Sequence, residues 1–119
     1  MERVAIRNMT KQTTVASAAE RATSFLSRGR GLLGRKGLPI GGGLVIVPCA
    51  NIHMIGMQFA LDVIFLDRAG RVVKLYPDLR PWRPYAGARK AHTTLELPVG
   101  AIRESATTLG DLLMIELPA

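Results

Sequence analysis

A chain of 119 residues, 48% apolar and only 5% aromatic, is long enough for one domain over residues 1–119 whose core is built from Val, Ile, Leu, Ala and Met. Its single cysteine, Cys49, excludes an intrachain disulfide, and no charged n-region with an apolar h-region opens the sequence, so a reducing cytoplasm is expected. The longest nearly uncharged stretch, Gly37 to Leu61, holds three successive glycines, two prolines, Asn51 and His53, which excludes a membrane helix there, and the formal charge of +7 points toward anionic partners.

Glu2 to Asn8 alternates Arg3 and Arg7 with Val4 and Ile6 and reads as a short edge strand. From Ser17 onward, Ala18, Ala19, Ala22, Phe25, Leu26, Leu32 and Leu33 recur at spacings that share one helical face, and Ser17 with Glu20 forms a capping box. The expectation is a longer N-terminal helix weakened by Gly29 and Gly31 and ended by Gly34, with Phe25 and Leu26 packed on a sheet, so that Leu26→Ala would cost roughly 2–5 kcal/mol. Gly37 to Gly43 reads as turns, since phosphate-cradling glycine loops follow a strand rather than precede one. Leu44 to Val47 is a strand buried on both faces, stopped by Pro48.

Leu61 to Leu66 and Arg71 to Tyr76 are strands joined by Asp67-Arg68-Ala69-Gly70, whose Asp and Gly suit the first and fourth positions of a type I turn; an antiparallel hairpin follows. Asp78 to Ala91 has no apolar period and reads as a long loop, of the kind that often carries function. Thr93 to Leu97 is a strand, Pro98 opens a short helix to about Ala106, and Leu112 to Glu116 is a final strand. The whole reads as α+β: a compact, mostly antiparallel sheet of five to seven strands, a sandwich or partly closed barrel, with one longer N-terminal helix and one short helix.

Gly31-Leu32-Leu33-Gly34-Arg35, Gly43-Leu44, Pro48-Cys49, Ile52-His53, Gly56-Met57, Leu61 to Asp67, Gly70 to Val73, Leu95-Glu96-Leu97-Pro98, Gly100 and Gly110-Asp111 occur as an ordered set. In them the chain resembles the bacterial and archaeal family called domain of unknown function 192. The resemblance implies a compact β-rich fold and no particular activity. Met54, Ile55 and Ala60 depart from the commonest pattern, where Thr, an aromatic and Pro are usual.

Chemistry-bearing residues concentrate between Pro48 and Asp62, and the candidate site is Cys49, His53, Gly56, Met57, Asp62 and Trp82. Each has a plain structural reading. Cys49 has no Lys or Arg within ten residues to favour its thiolate and reads as a small buried hydrophobe. His53 reads as part of a hydrogen-bond network. Asp62 alternates with core residues, so its carboxylate needs donors, and His53 is the expected one. Trp82 lies with Tyr85 between Arg80, Arg83, Arg89 and Lys90; the favoured reading is that it pins the long loop on the core, the alternative that a base stacks there.

A metal would have to draw on Cys49, His53, His92 and Asp62, which lack the tight repeated pairs of zinc motifs, so neither metal nor cofactor is expected. Residues 1–40 carry eight basic and two acidic side chains and residues 68–91 carry seven basic ones against Asp78, but they are scattered, so nucleic acid ranks below other partners. The leading function is a binding or accessory module holding a small ligand or protein partner in a groove near His53, Met57, Asp62 and the Trp82 loop. The alternative is an enzyme using His53, Asp62 and Cys49 for acid–base or nucleophilic work.

Overall fold

A computed structural model of the chain describes residues 2–22 and 32–117. Among these the strands are β1 (Glu2–Asn8), β2 (Thr13–Ala22), β3 (Leu44–Ile46), β4 (Asn51–Ile52), β5 (Leu61–Leu66), β6 (Val72–Leu79), β7 (Ala86–Gly87), β8 (Thr93–Leu97) and β9 (Leu113–Glu116). A single short helix, α1 (Ala101–Glu104), lies between β8 and β9. Seven strands form one curled sheet in the order β6-β5-β8-β3-β2-β1-β9, and β4 pairs with β7 as a separate ribbon. All pairings are antiparallel except β2 with β3.

The two ends of that order meet. Val72 N–H donates to the Asp111 carbonyl at 2.9 Å, Gly110 N–H to the Val72 carbonyl at 2.9 Å, and Leu113 N–H to the Gly70 carbonyl at 2.9 Å, with Arg71 bridging Leu112. The sheet is therefore a partly closed barrel, which saturates part of two edges that would otherwise present unpaired backbone groups. Its interior holds Val4, Ile6, Val45, Ile64, Leu66, Leu95, Leu97 and Leu113. A second apolar layer lies outside, where Leu44, Ile46, Leu61, Val63 and Phe65 are covered by Leu32, Met54, Met57 and Ala86.

The expected N-terminal helix is corrected here. Residues Ser17 to Ala22 belong to β2, whose register runs from Glu2↔Arg21 to Asn8↔Thr13 against β1 and from Glu20↔Leu44 to Ala22↔Ile46 against β3. The misreading has a physical cause. Two register shifts, between Val4 and Ile6 and between Ile6 and Arg7, put extra residues into β2. Its buried side chains then fall at Val15, Ala16, Ala19 and Ala22, a spacing that imitates a helical stripe although Ala22 faces the outer layer. Phe25, Leu26 and the rest of residues 23–31 lie outside the described residues. The fold is accordingly mostly β, with only the short helix as expected after Pro98. Nor is β1 an edge, since β2 and β9 flank it.

The hairpin of β5 and β6 forms as its turn residues dictate. Gly70 N–H reaches the Asp67 carbonyl at 3.1 Å, while Asp67 Oδ1 accepts from the Ala69 and Arg71 amides at 2.9 Å each. At the seam beside this hairpin, buried Asp111 takes hydrogen bonds from Asn8 Nδ2 at 2.9 Å, Lys11 Nζ at 2.7 Å and Thr108 N–H at 3.0 Å. Burial alone would raise its pKa, but these donors and the Lys11 charge outweigh that and hold it well below the usual carboxylate range.

Gly70 has a φ of 90°, and a Cβ there would stand 2.7 Å from the Leu113 carbonyl oxygen. Left-handed backbone costs a non-glycine residue roughly 1–2 kcal/mol, and the clash with main chain adds to it. Gly70→Ala should therefore lower the unfolding free energy by more than about 2 kcal/mol in a urea titration. A loss below about half a kcal/mol would show that the seam is loose.

Candidate functional site

Along β5 the side chains alternate. Asp62, Ile64 and Leu66 point into the barrel, while Leu61, Val63 and Phe65 point into the outer layer. Asp62 is only 2% exposed, so its charge needs donors, and it finds three backbone amides. Asp78 N–H reaches Oδ1 at 2.9 Å, and Gly100 and Ile102 N–H reach Oδ2 at 3.0 Å each. The carboxylate thus ties β5 to β6 and to the start of α1. It lines a cleft of about 460 Å³ with Val99, Gly100 and Arg103 among others.

The expected donation from His53 to Asp62 is corrected: His53 lies in the loop over the outer layer and is exposed, and the donors to Asp62 come from Asp78 and the Gly100–Ile102 turn. Asp62→Asn would place an amide against three amides. It should cost about 1–3 kcal/mol in chemical denaturation and leave the surroundings of Trp82 unchanged, as read by its emission.

The remaining candidates gather where two loops interlock. Ile52 pairs with Ala86 and Asn51 with Gly87; beyond them Met54 N–H donates to the Arg83 carbonyl and Trp82 N–H to the Met54 carbonyl, both at 2.7 Å. Tyr76 Oη donates to the Gly87 carbonyl at 2.8 Å and accepts Gly87 N–H at 3.2 Å, fixing the ribbon on β6. A side chain at Gly87 would meet the Ala50 carbonyl at 2.9 Å. Met54 and Met57 are buried beneath the loops, and Gly56 approaches Leu33 closely, a Cβ there standing 3.3 Å from Leu33 Cδ2. Cys49 is half-buried; its N–H donates to the His92 carbonyl at 2.8 Å, and its own carbonyl accepts Thr94 Oγ1 at 3.0 Å.

Trp82 does not pin the loop. Its side chain is 65% exposed, Tyr85 is 60% exposed, and the loop is held by its backbone and by Tyr76 instead. Trp82 and Lys90 both have φ of 68°, an unusual backbone for bulky residues. Arg83 stands 5.9 Å and Lys74 5.5 Å from the centre of the Tyr76 ring. Among the described residues, no three His, Cys, Asp or Glu side chains gather around one point.

Glu96 was not singled out as a site residue by the sequence. It pairs with Leu44 on β3 and Val63 on β5, so it faces the outer apolar layer, 6% exposed, and its Oε1 has no hydrogen-bond partner among the described residues. Desolvation raises its pKa to about 7. Arg35 lies one strand further out, 3.4 Å from Glu20. The signal was present: a lone carboxylate among Leu and Thr in a strand, the same pattern that drew attention to Asp62.

The folded state holds the Glu96 proton up to about pH 7, whereas an unfolded glutamate releases it near 4.5. This contribution to stability is complete below about pH 4.5 and is lost as pH rises through about 7. Unfolding free energy should fall by up to roughly 3 kcal/mol between pH 5 and pH 8. Glu96→Gln should flatten that decline and exceed the parent chain in stability at pH 8; an unchanged slope would mean that Glu96 is ionised in the fold.

These features define a small, partly closed β-barrel domain bearing an outer layer of two interlocked loops. The profile of the family DUF192, described as Uncharacterized ACR, COG1430, matches residues 6–115, and the chain belongs to that family. A UPF0127 protein of Thermococcus kodakarensis is 37% identical over 114 residues, spanning 91% of this chain and 71% of its own. One of Pyrococcus furiosus is 34% identical over 111 residues, spanning 89% and 93%. Among solved structures, a Sinorhizobium meliloti protein provisionally described as a transcription regulator matches with a TM-score of 0.81, 21% identity and coverage of 96% and 92%. A protein of unknown function from Novosphingobium aromaticivorans matches with a TM-score of 0.76, 20% identity and coverage of 94% and 83%. At these identities the two structures establish the fold alone. Among the described residues no helix is long and apolar enough to cross a membrane.

Proposed function

We propose that this chain is a small binding module, and that its ligand, an anion carrying a flat ring, lands on the face where the Met54 and Trp82 loops interlock. The observation that carries this reading is the exposed Trp82 side chain, 65% accessible yet set on a left-handed backbone that two hydrogen bonds to Met54 hold in place. Unusual backbone of this kind persists only where its surroundings over-determine it, and it clusters at ligand clamps. Arg83, Arg89 and Lys90, all exposed, put positive charge on the same loop as the ring, and exposed His53 lies beside Met54 on the facing loop. Met57 and Cys49 act from below as packing, and Asp62 contributes to the barrel rather than to this face. Asp62 is held by the amides of Asp78, Gly100 and Ile102 while His53 lies exposed in the loop over the outer layer, which weighs against an acid–base pair.

Trp82 is the only tryptophan, so its emission reports on this face directly. Titration with UMP or AMP should quench it and raise the thermal midpoint by mass action, while inorganic pyrophosphate, which has charge but no ring, should do less. Trp82→Ala should retain the fold and lose the midpoint shift. A panel of nucleotides and aromatic carboxylates that leaves both emission and midpoint untouched would overturn the reading.

A further inference from the structure

We infer that the Trp82 face is laid out for a single strand of nucleic acid rather than for a lone small molecule; the inference rests on the reading of this face as an anion- and ring-binding surface. The first argument is length. From Met54 back to Cys49 the first loop runs beside the second, with Ile52 against Ala86, Asn51 against Gly87, Ala50 against Ala88 and Cys49 against His92. Four backbone pairings, two in the extended ribbon and two beyond it where the second loop turns, make the interlocked stretch longer than one nucleotide needs. A shallow groove of about 510 Å³ near Lys90 and His92 is lined by Arg68 and also by Asp67.

The second argument is the order of groups along the second loop. In sequence order Trp82, Arg83, Tyr85, Arg89 and Lys90 follow one another, and all five side chains are exposed, offering rings for bases and cations for phosphates. Two carboxylates lie nearby, and both are engaged. Asp78 is paired with Arg80 at 2.9 Å, and Asp67 accepts the Ala69 and Arg71 amides in its turn. Among the described residues, Arg83, Arg89, Lys90, Lys74 and Arg68 have no carboxylate within salt-bridge distance.

The third argument separates single from double strands. Exposed rings can stack only on unpaired bases, since a duplex keeps its bases stacked on one another.

The test uses the full chain with fluorescein-labelled 12-mers of thymidylate and uridylate, a 12-base-pair duplex, inorganic polyphosphate and UMP, read by anisotropy and Trp82 emission. The 12-mers should quench Trp82 and bind at least tenfold tighter than duplex, polyphosphate or UMP. Their affinity should fall roughly twentyfold between 50 and 200 mM salt, as about three released counterions require. Trp82→Ala should weaken binding about tenfold or more, Trp82→Phe should restore most of it, and the Arg89→Ala, Lys90→Ala double variant should reduce the salt dependence. Duplex or polyphosphate binding as tight as the 12-mers would overturn the inference, since charge alone would then suffice. UMP quenching Trp82 with 12-mers no tighter would also overturn it while leaving the small-ligand reading standing. Silence from UMP and 12-mers alike would overturn both, as would self-association that shields Trp82 in the absence of any nucleic acid.

Discussion

The barrel depends on one close approach of main chain to main chain, at Gly70. There the β5–β6 hairpin turns, and there the end of the sheet meets its other end through the Leu113 amide. A single residue must therefore have positive φ and no side chain, and glycine alone meets both demands. With the seam closed, the interior becomes a continuous apolar volume. The end of β5 is then capped by Asp62 on three amides, a carboxylate that binds elements 16, 38 and 40 residues away in sequence.

The closed barrel also explains why the outer layer can be so irregular. β4 and β7 have two residues each and cannot stand alone as a ribbon. They hold because their underside, Met54, Met57 and Ala86, is buried against the flat outer face of β5, β8 and β3, and because the Tyr76 hydroxyl fixes Gly87 from both its polar groups. A rigid support of this kind lets the upper surface keep exposed rings and unpaired cations. The same layer hides Glu96, whose ionisation opposes the packing above it.

Much of this was legible in the sequence where the signal was local. The Asp67–Gly70 turn, the strands Leu61 to Leu66 and Thr93 to Leu97, and the short helix after Pro98 follow from turn chemistry, alternation and proline placement. The family was legible too, from its ordered motifs. β2 was not, because two bulges gave a strand the periodicity of a helix. The partners of Asp62 were not, because amides from distant turns leave no mark on side-chain identity. Of the candidate site, the Cys49 to Met57 segment and Trp82 do fall in one layer, but the exposure of Trp82 depends on backbone hydrogen bonds that composition does not record. Glu96 is legible in principle, as a lone carboxylate in an apolar strand, but no second chemical group stands beside it in the sequence.

The pairing of β1 with β9 joins segments whose contacting residues, such as Asn8 and Asp111, are 103 positions apart. A ribosome delivers β1 before the other strands of the sheet and β9 after them. Until β9 emerges the β1–β2 ribbon therefore waits with one open edge, and the barrel cannot shut. Contacts of such long range make folding slow and leave strand edges exposed to other chains meanwhile. The arginines at positions 3 and 7 of that waiting strand keep it charged during the delay, a safeguard against edge-to-edge association that has no use once β9 is in place.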